Sequence, residues 1–336
     1  MQDDKLLVVE HLSKEYEPSR RLFDKPKPSV KAVNDVSFFI RKGESFGVVG
    51  ESGCGKTTLG KCVVRLYAPT SGKIYFRDGD EMKDLLALDR KESHAMRRKL
   101  QIVFQDPYAS LNPMHNIMEA FDEPMRVHGI GNGDKEARKK IIADSLRAVN
   151  LQPEYMYRYP HEFSGGQRQR ICIAKALALQ PKLIVCDEPV SALDVSIQAQ
   201  ILNLMKKLQK EYDLAFMFIA HDLSVVQYMS DRIAVMYLGS IVEMADANEL
   251  YEHHKHPYTE ALLSAVPIPV YGKKKERILL SGDVPSPMNP PSGCTFHPRC
   301  SHCMEICKTQ KPELRDIGNG HCVACHLFQN QNSEEK

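Results

Sequence analysis

Short, nearly unbroken apolar runs alternate along this chain with longer stretches whose apolar residues recur at helical spacing. Strand-length runs fall at 6–10, 45–49, 101–104, 183–186, 215–220 and 232–237. LGKCVVRL (59–66) and ICIAKALAL (171–179) carry the helical period. GDKEARKKIIADSLRAVN (133–150) reads as an amphipathic helix whose charges form a solvated face. Strands and helices in this order predict an α/β fold around a mixed sheet, with a helix-rich insert over about 107–180. After residue 266 the periodicity stops. IPVYGKKKERILLSGDVPSPMNPPSG is rich in Pro and Gly and predicts a connector that wraps more than it packs. The chain therefore divides into residues 1–266 and a C-terminal extension, 267–336, and the run 273–277 reads as a solvated charge cluster.

Length and charge narrow the classes. With 336 residues, burial of a core is not limiting, and a formal net charge of +2 gives no bulk attraction to nucleic acid or lipid. The opening MQDDKLLVVEHLSKEY is acidic and lacks the apolar core of a signal peptide. No run approaches the roughly eighteen apolar residues of a membrane span. A cytoplasmic chain is expected, and there clustered cysteines are metal ligands or redox groups more often than disulfides.

The candidate chemistry begins at GVVGESGCGKTTLGKCVVRL (47–66), where Gly50, Gly55, Lys56 and Thr57 fit G-x-x-x-x-G-K-[ST] between a strand and a helix. Glycines let the backbone curl so that its amides converge on a phosphate, and the helix N-terminus adds a favourable dipole. Glu51, Ser52, Gly53 and Cys54 contribute backbone, and Thr58 completes the loop. Lys56 can neutralise the β- and γ-phosphates of ATP, and Thr57 can ligate Mg²⁺. In KLIVCDEP (182–189) a strand-length run ends in two carboxylates: Asp187 is placed to hold Mg²⁺ and Glu188 to polarise a water. Ser164, Gly165 and Gly166 open a helix whose N-terminus is a second anion site. Two phosphate sites mean either two nucleotides per subunit or one nucleotide sandwiched between subunits, and spacing does not choose.

SGGQRQR (164–170) resembles the signature of the ATP-binding-cassette family, and the family's other marks follow its order. Gln105 in IVFQDPYASLNP matches the Q-loop, Ser191–Asp194 the D-loop and His221 in FIAHDL the switch histidine. Tyr16 matches the aromatic that stacks on adenine, with Phe23 as competitor. Phe163 stands where the family usually has leucine. The resemblance implies an ABC-type nucleotide-binding domain, with a mixed-sheet core, an antiparallel β subdomain and the helical insert. It also implies head-to-tail dimers in which Ser164, Gly165, Gly166 and Gln167 of one subunit close over ATP on the other. Glu188, His221 and Gln105 are the catalytic group it implies, with Thr57, Gln105 and Asp187 around magnesium.

QDPYASLNP, EPVSALDVSIQAQILNLM, LYEHHKHPYTEALLSAVP and SGDVPSPMNPPSGCTFHPRC resemble the ATPase subunits of bacterial oligopeptide and dipeptide permeases. That branch implies an importer at the cytoplasmic face of the membrane. Its partners are a second homologous ATPase subunit, two membrane-spanning permeases and an extracytoplasmic peptide-binding protein, with no nucleic acid. The alternative class is a soluble cassette ATPase acting in translation or DNA metabolism. Those commonly carry two cassettes per chain or a long coiled-coil insert, and neither is present here.

Six of the ten cysteines lie near the C-terminus. Cys300-x-x-Cys303 followed by Cys322-x-x-Cys325 has the spacing of a four-thiolate zinc site. The permease resemblance instead selects Cys294, Cys300, Cys307 and Cys325 as ligands of a 4Fe-4S cluster and leaves Cys303 and Cys322 as extras. Either metal would tie together a Pro-rich tail too poor in apolar residues to order itself. The histidines at 297, 302, 321 and 326, and those at 253, 254 and 256, read as exposed polar residues.

Overall fold

The computed structural model describes residues 4–17, 29–266 and 277–329. In chain order the elements are β1 (Lys5–Tyr16), β2 (Val30–Arg41), β3 (Ser45–Val49), α1 (Lys56–Val63), β4 (Ser71–Asp78) and β5 (Glu81–Asp84). They continue with α2 (Arg90–Lys99), β6 (Leu100–Val103), α3 (Ile117–Val127), α4 (Lys135–Ala148), α5 (Gly165–Leu177) and β7 (Leu183–Asp187). Next come α6 (Val195–Tyr212), β8 (Ala215–Ile219), α7 (Leu223–Met229), β9 (Arg232–Tyr237), β10 (Ser240–Asp246), α8 (Ala247–His253) and α9 (Pro257–Ser264). The C-terminal extension adds α10 (Glu305–Thr309), β11 (Arg315–Asp316) and β12 (Cys322–Val323). All six predicted strands are present. Those missed, among them β2 and β10, lack a continuous apolar run: in β2 the buried residues, Val33, Val36, Phe38 and Ile40, are separated by polar or half-exposed ones. Residues 273–276 of the basic run lie outside the described residues.

The chain forms two compact units, one of residues 1–7, 40–45 and 75–219, the other of 8–39, 46–74 and 220–336. In the first, β6, β7 and β8 are parallel, with Leu100 opposite Leu183 and Asp187 opposite Ile219. Every residue of β7 and β8 is buried, as expected of parallel strands covered on both faces. Their carboxyl ends, where α/β sheets place ligands, lead directly into Glu188 and Ala220. The helical insert packs Phe121 and Met125 of α3 and Ile142 and Leu146 of α4 into its own core. Asn116 and Glu119 form a capping box that fixes the start of α3. One charge of α4 departs from the solvated face: Arg138 is buried and its Nε donates to Asp122 of α3 at 2.5 Å. A guanidinium with a carboxylate facing it from the neighbouring helix can be buried where an unpaired one cannot.

In the second unit β3 runs parallel to β9, with Phe46 opposite Arg232. β9 and β10 form a tight hairpin across Leu238 and Gly239, both at positive φ, which matches the twist of the flanking strands. The extension joins this sheet. β12 pairs antiparallel with β10, Glu243 opposite Val323, and β11 pairs with β12. Phe296 is fully buried against Tyr237 and Tyr258, with ring centroids 5.3 and 5.4 Å away. The tail therefore need not build a core of its own, because it adds to an existing sheet edge and aromatic cluster.

Buried polar groups complete this docking and correct the expectation of exposed histidines. Glu243, fully buried, accepts from the amides of Lys255 (2.6 Å) and His256 (3.0 Å) and bonds His321 Nε2 at 2.8 Å. Burial opposes charge on both partners. For His321 the Glu243 carboxylate prevails and raises its pKa, and for Glu243 the His321 and amide hydrogen bonds lower it. His256 caps α9, its Nδ1 accepting from the Tyr258 amide at 3.1 Å, and burial pushes its pKa down to about 4, so the ring stays neutral. His326 is buried too, its Nε2 2.9 Å from the carbonyl of Gln310, whereas His253 and His302 are exposed. Replacing His321 by Ala leaves Glu243 buried without its cationic partner, a cost of roughly 3 kcal/mol. Limited trypsinolysis and amide exchange are expected to report it as faster opening of residues 321–325, with α5 unchanged.

Candidate functional site

The phosphate loop lies wholly in the second unit, between β3 and α1. Gly55 is the residue before α1 and has φ 103°, and a Cβ there would sit 1.9 Å from the carbonyl oxygen of Ala32. Only glycine combines that backbone with that approach. Lys56 is buried and folds over the loop, donating through Nζ to the carbonyls of Gly50 (2.7 Å) and Glu51 (2.9 Å). Burial raises the pKa of the Cys54 thiol. Ser52 and Gly53 form the exposed rim, and Thr57 and Thr58, half-buried, belong to the first turn of α1. Tyr16, at the end of β1, is 38% exposed, meets Tyr67 edge-on at 6.1 Å and has the Lys14 ammonium over its ring, 5.3 Å from the centroid. Phe23 lies outside the described residues. His221 is exposed immediately before α7, whose start Asp222 caps through the Ser224 amide.

Glu51 is held by two residues remote in sequence. Its amide donates to the Tyr258 hydroxyl at 2.9 Å, and its carboxylate takes both terminal nitrogens of Arg299, at 2.8 and 3.2 Å. No spacing in the sequence could have found them, since they lie 207 and 248 positions away.

The carboxylates belong to the first unit. Asp187 ends β7 buried. Glu188 follows at φ 48°, a left-handed backbone that costs a non-glycine residue of the order of 1–3 kcal/mol and is found where geometry at a reacting centre matters. Its amide is anchored to the Ile219 carbonyl at 2.9 Å, and its carbonyl accepts from Ser191 Oγ at 3.1 Å. Gln105 Nε2 lies 3.2 Å from Glu188 Oε2 and 3.4 Å from Ser191 Oγ. The Q-loop glutamine, the second carboxylate and the first D-loop residue thus converge.

Ser164 is the exposed N-cap of α5. Its hydroxyl accepts from the Gln167 amide (3.3 Å), and Gln167 Oε1 accepts from the Ser164 amide (3.0 Å). A Cβ on Gly166 would strike Ile197 of α6 at 2.6 Å, so glycine lets the D-loop helix pack against this N-terminus. Phe163, in place of the usual leucine, is buried against Tyr155 at 5.5 Å.

The description "ABC transporter" matches residues 33–191, and "Oligopeptide/dipeptide transporter, C-terminal region" matches residues 242–307. The oligopeptide transport ATP-binding protein AppF of Bacillus subtilis is 51% identical over 94% of this chain and 95% of its own. YkfD of the same bacterium is 55% identical over 92% of this chain and 93% of its own. This chain belongs to the ABC transporter family, in its oligopeptide/dipeptide branch. A dimeric ATP-binding cassette in a post-hydrolysis state with ADP and Pi superposes with a TM-score of 0.61, at 28% identity, over 72% of this cassette and 99% of that chain. A bacterial ABC transporter cassette, also solved as a dimer, gives 0.62 at the same identity and coverage. The mixed and antiparallel sheets of this cassette are those of the family's nucleotide-binding domain.

In the cassette's tail, the Cys294 amide donates to the Cys307 carbonyl at 2.8 Å. Burial pushes the thiols of Cys294 and Cys325 up to about 11. The charges of Cys307 and Cys300 add to this at Cys294, as do those of Cys294, Cys300 and Cys307 at Cys325. Yet among the described residues no three His, Cys, Asp or Glu side chains are placed together to hold a metal ion, and this holds for the zinc set Cys300, Cys303, Cys322 and Cys325 and for the cluster set Cys294, Cys300, Cys307 and Cys325 alike. Cys303 is exposed, and Cys322 is taken up in the backbone pairing of β12 with β10. Gly55→Ala is expected to lower ATP affinity roughly a hundredfold or more through strain and collision. Calorimetric titration of ATP measures this, with circular dichroism showing the remaining fold intact.

Proposed function

We propose that this chain is the ATP-hydrolysing motor of a peptide importer, working as a peripheral subunit on the cytoplasmic face of the membrane. The observation carrying the reading is the convergence of Gln105, Glu188 and Ser191 at the end of a buried strand, with Glu188 held in a strained backbone. Lys56 and the loop of residues 50–58 bind the triphosphate, the Glu51 amide being held by Tyr258 instead, and Tyr16 stacks on adenine. Magnesium, when bound, supplies positive charge at the β- and γ-phosphates. Thr57, Asp187 and Gln105 are oxygen donors of the hard type it prefers, which fits that role. Glu188 accepts a proton from the attacking water as the new P–O bond forms and the β–γ bridging bond breaks, leaving ADP and phosphate. His221 bridges to the γ-phosphate, and Gln105 holds Glu188 and the water in line. Catalysis of this kind is positioning and charge stabilisation, without a protein nucleophile.

Ser164–Gln167 of a second, homologous cassette close over that γ-phosphate. The exposed N-cap geometry of α5 supports this, because the helix start presents amides to an anion. Two permeases and an extracytoplasmic peptide-binding protein complete the importer. Tyr108 and Met114, 58% and 79% exposed just beyond Gln105, offer an apolar docking surface for a permease. Among the described residues no helix is long and apolar enough to cross a membrane, so attachment falls to such partners. Glu188→Gln is expected to keep ATP affinity within about twofold and to reduce steady-state hydrolysis by at least about a hundredfold. Phosphate-release kinetics beside calorimetric ATP titration decide it, and normal turnover would exclude Glu188 as the base.

The tail, residues 267–336 in this reading, carries a 4Fe-4S cluster on Cys294, Cys300, Cys307 and Cys325. Support comes from the permease resemblance, whose matched region 242–307 takes in the first three of these cysteines, and from the partial or full burial of all four. The group would serve structure or regulation, away from hydrolysis. After anaerobic purification, Cys294→Ser is expected to lose iron and the brown absorbance while Cys303→Ser keeps both. Loss of zinc from Cys303→Ser alone would reverse the assignment.

A further inference from the structure

Glu51 presents an electrostatic problem. It is the first residue after Gly50 in a loop whose amides must receive a polyphosphate, and a free carboxylate there would repel the ligand. Its side chain is about a quarter exposed, whereas the Arg299 side chain that grips it is 7% exposed. The grip is a bidentate fork, the geometry that most restricts a carboxylate. From the same side, the buried Tyr258 hydroxyl accepts from the Glu51 amide. Both holding residues come from the C-terminal part of the chain. Tyr258 lies in α9, and Arg299 closes the short turn His297–Arg299 that follows the buried Phe296. Phe296, Tyr237 and Tyr258 pack against one another with centroids 4.7–5.4 Å apart, and the Arg299 guanidinium lies 6.0 Å from the Tyr237 ring, so the fork is mounted on a rigid aromatic base.

We propose that Arg299, from the docked C-terminal extension, and Tyr258, from α9, are positioning residues for the phosphate loop, through which the C-terminal part of the chain sets the cassette's affinity for nucleoside triphosphate. Arg299 cancels the Glu51 charge and draws it aside, and Tyr258 fixes the direction of the first amide in the loop. Neither touches the reacting atoms, so the effect falls on binding more than on the chemical step. The inference rests on the nucleotide reading above and adds a second, remote determinant to it.

The test uses the full-length chain, with ATP affinity from calorimetry and KM and kcat from steady-state hydrolysis. Arg299→Ala is expected to raise the Kd and KM for ATP on the order of tenfold, the loss of one charge-assisted pair. The kcat at saturating ATP should stay within about twofold. Arg299→Ala combined with Glu51→Gln should recover most of the lost affinity, because the repelling charge has gone. A packing defect left by Arg299→Ala would not be repaired at Glu51, so this pair separates positioning from misfolding. Tyr258→Phe, which keeps the ring, should weaken ATP about threefold. Wild-type affinity in Arg299→Ala, or a double variant no better than the single one, overturns the proposal. Lys56→Ala separates the two readings: if it binds ATP as wild type does, the nucleotide site itself is wrong. If it loses ATP while Arg299→Ala does not, only the tail's role fails.

Discussion

The carbonyl of Ala32 lies where a side chain on Gly55 would begin, and that contact shapes the loop on which the cassette's chemistry depends. A polyphosphate is held by backbone amides only if the chain curls tightly enough to aim several at one point. Here the curl is clamped from several directions. β3 feeds the loop from a fully buried strand, α1 receives it at a left-handed glycine, and the Gly239 amide bonds the Cys54 carbonyl at 2.9 Å. Lys56 then lies across the loop with its charge already inside.

A comparable economy governs the carboxylate end. Glu188 sits in an unfavourable backbone because its amide is committed to Ile219 and its carbonyl to Ser191. Strain of this kind persists only where surrounding bonds over-determine it. The same D-loop that supplies Ser191 leads into α6, whose Ile197 packs on Gly166 at the start of the signature helix. The signature helix and the segment holding Glu188 are thus linked through two contacts inside one unit.

The extension follows a different logic. Its sequence is too poor in apolar residues to form a core, but it has no need of one. Two short strands continue the sheet beyond β10, one aromatic residue fills the gap beside Tyr237 and Tyr258, and a buried His321–Glu243 pair locks the register. Placing charge inside the protein is tolerable because Glu243 receives three donors at once. The cysteines of the extension thereby lie on a docked segment, Cys307 and Cys325 buried within it and Cys303 exposed.

The sequence alone determined the strands that are buried on both faces, since a continuous apolar run is visible without context, and it located the loop at 50–58, the paired carboxylates and the SGGQ segment, whose patterns are local. It also placed the insert and the capped start of α5. Tertiary structure decided what depends on partners far along the chain. Half-buried β2, the edge pairing of β12, the burial of Arg138, His256, His321 and His326, and the fork of Arg299 on Glu51 all follow from neighbours that a linear reading does not bring together. A polar residue is placed by the charge or hydrogen bond it meets, and that encounter exists only once the chain has folded.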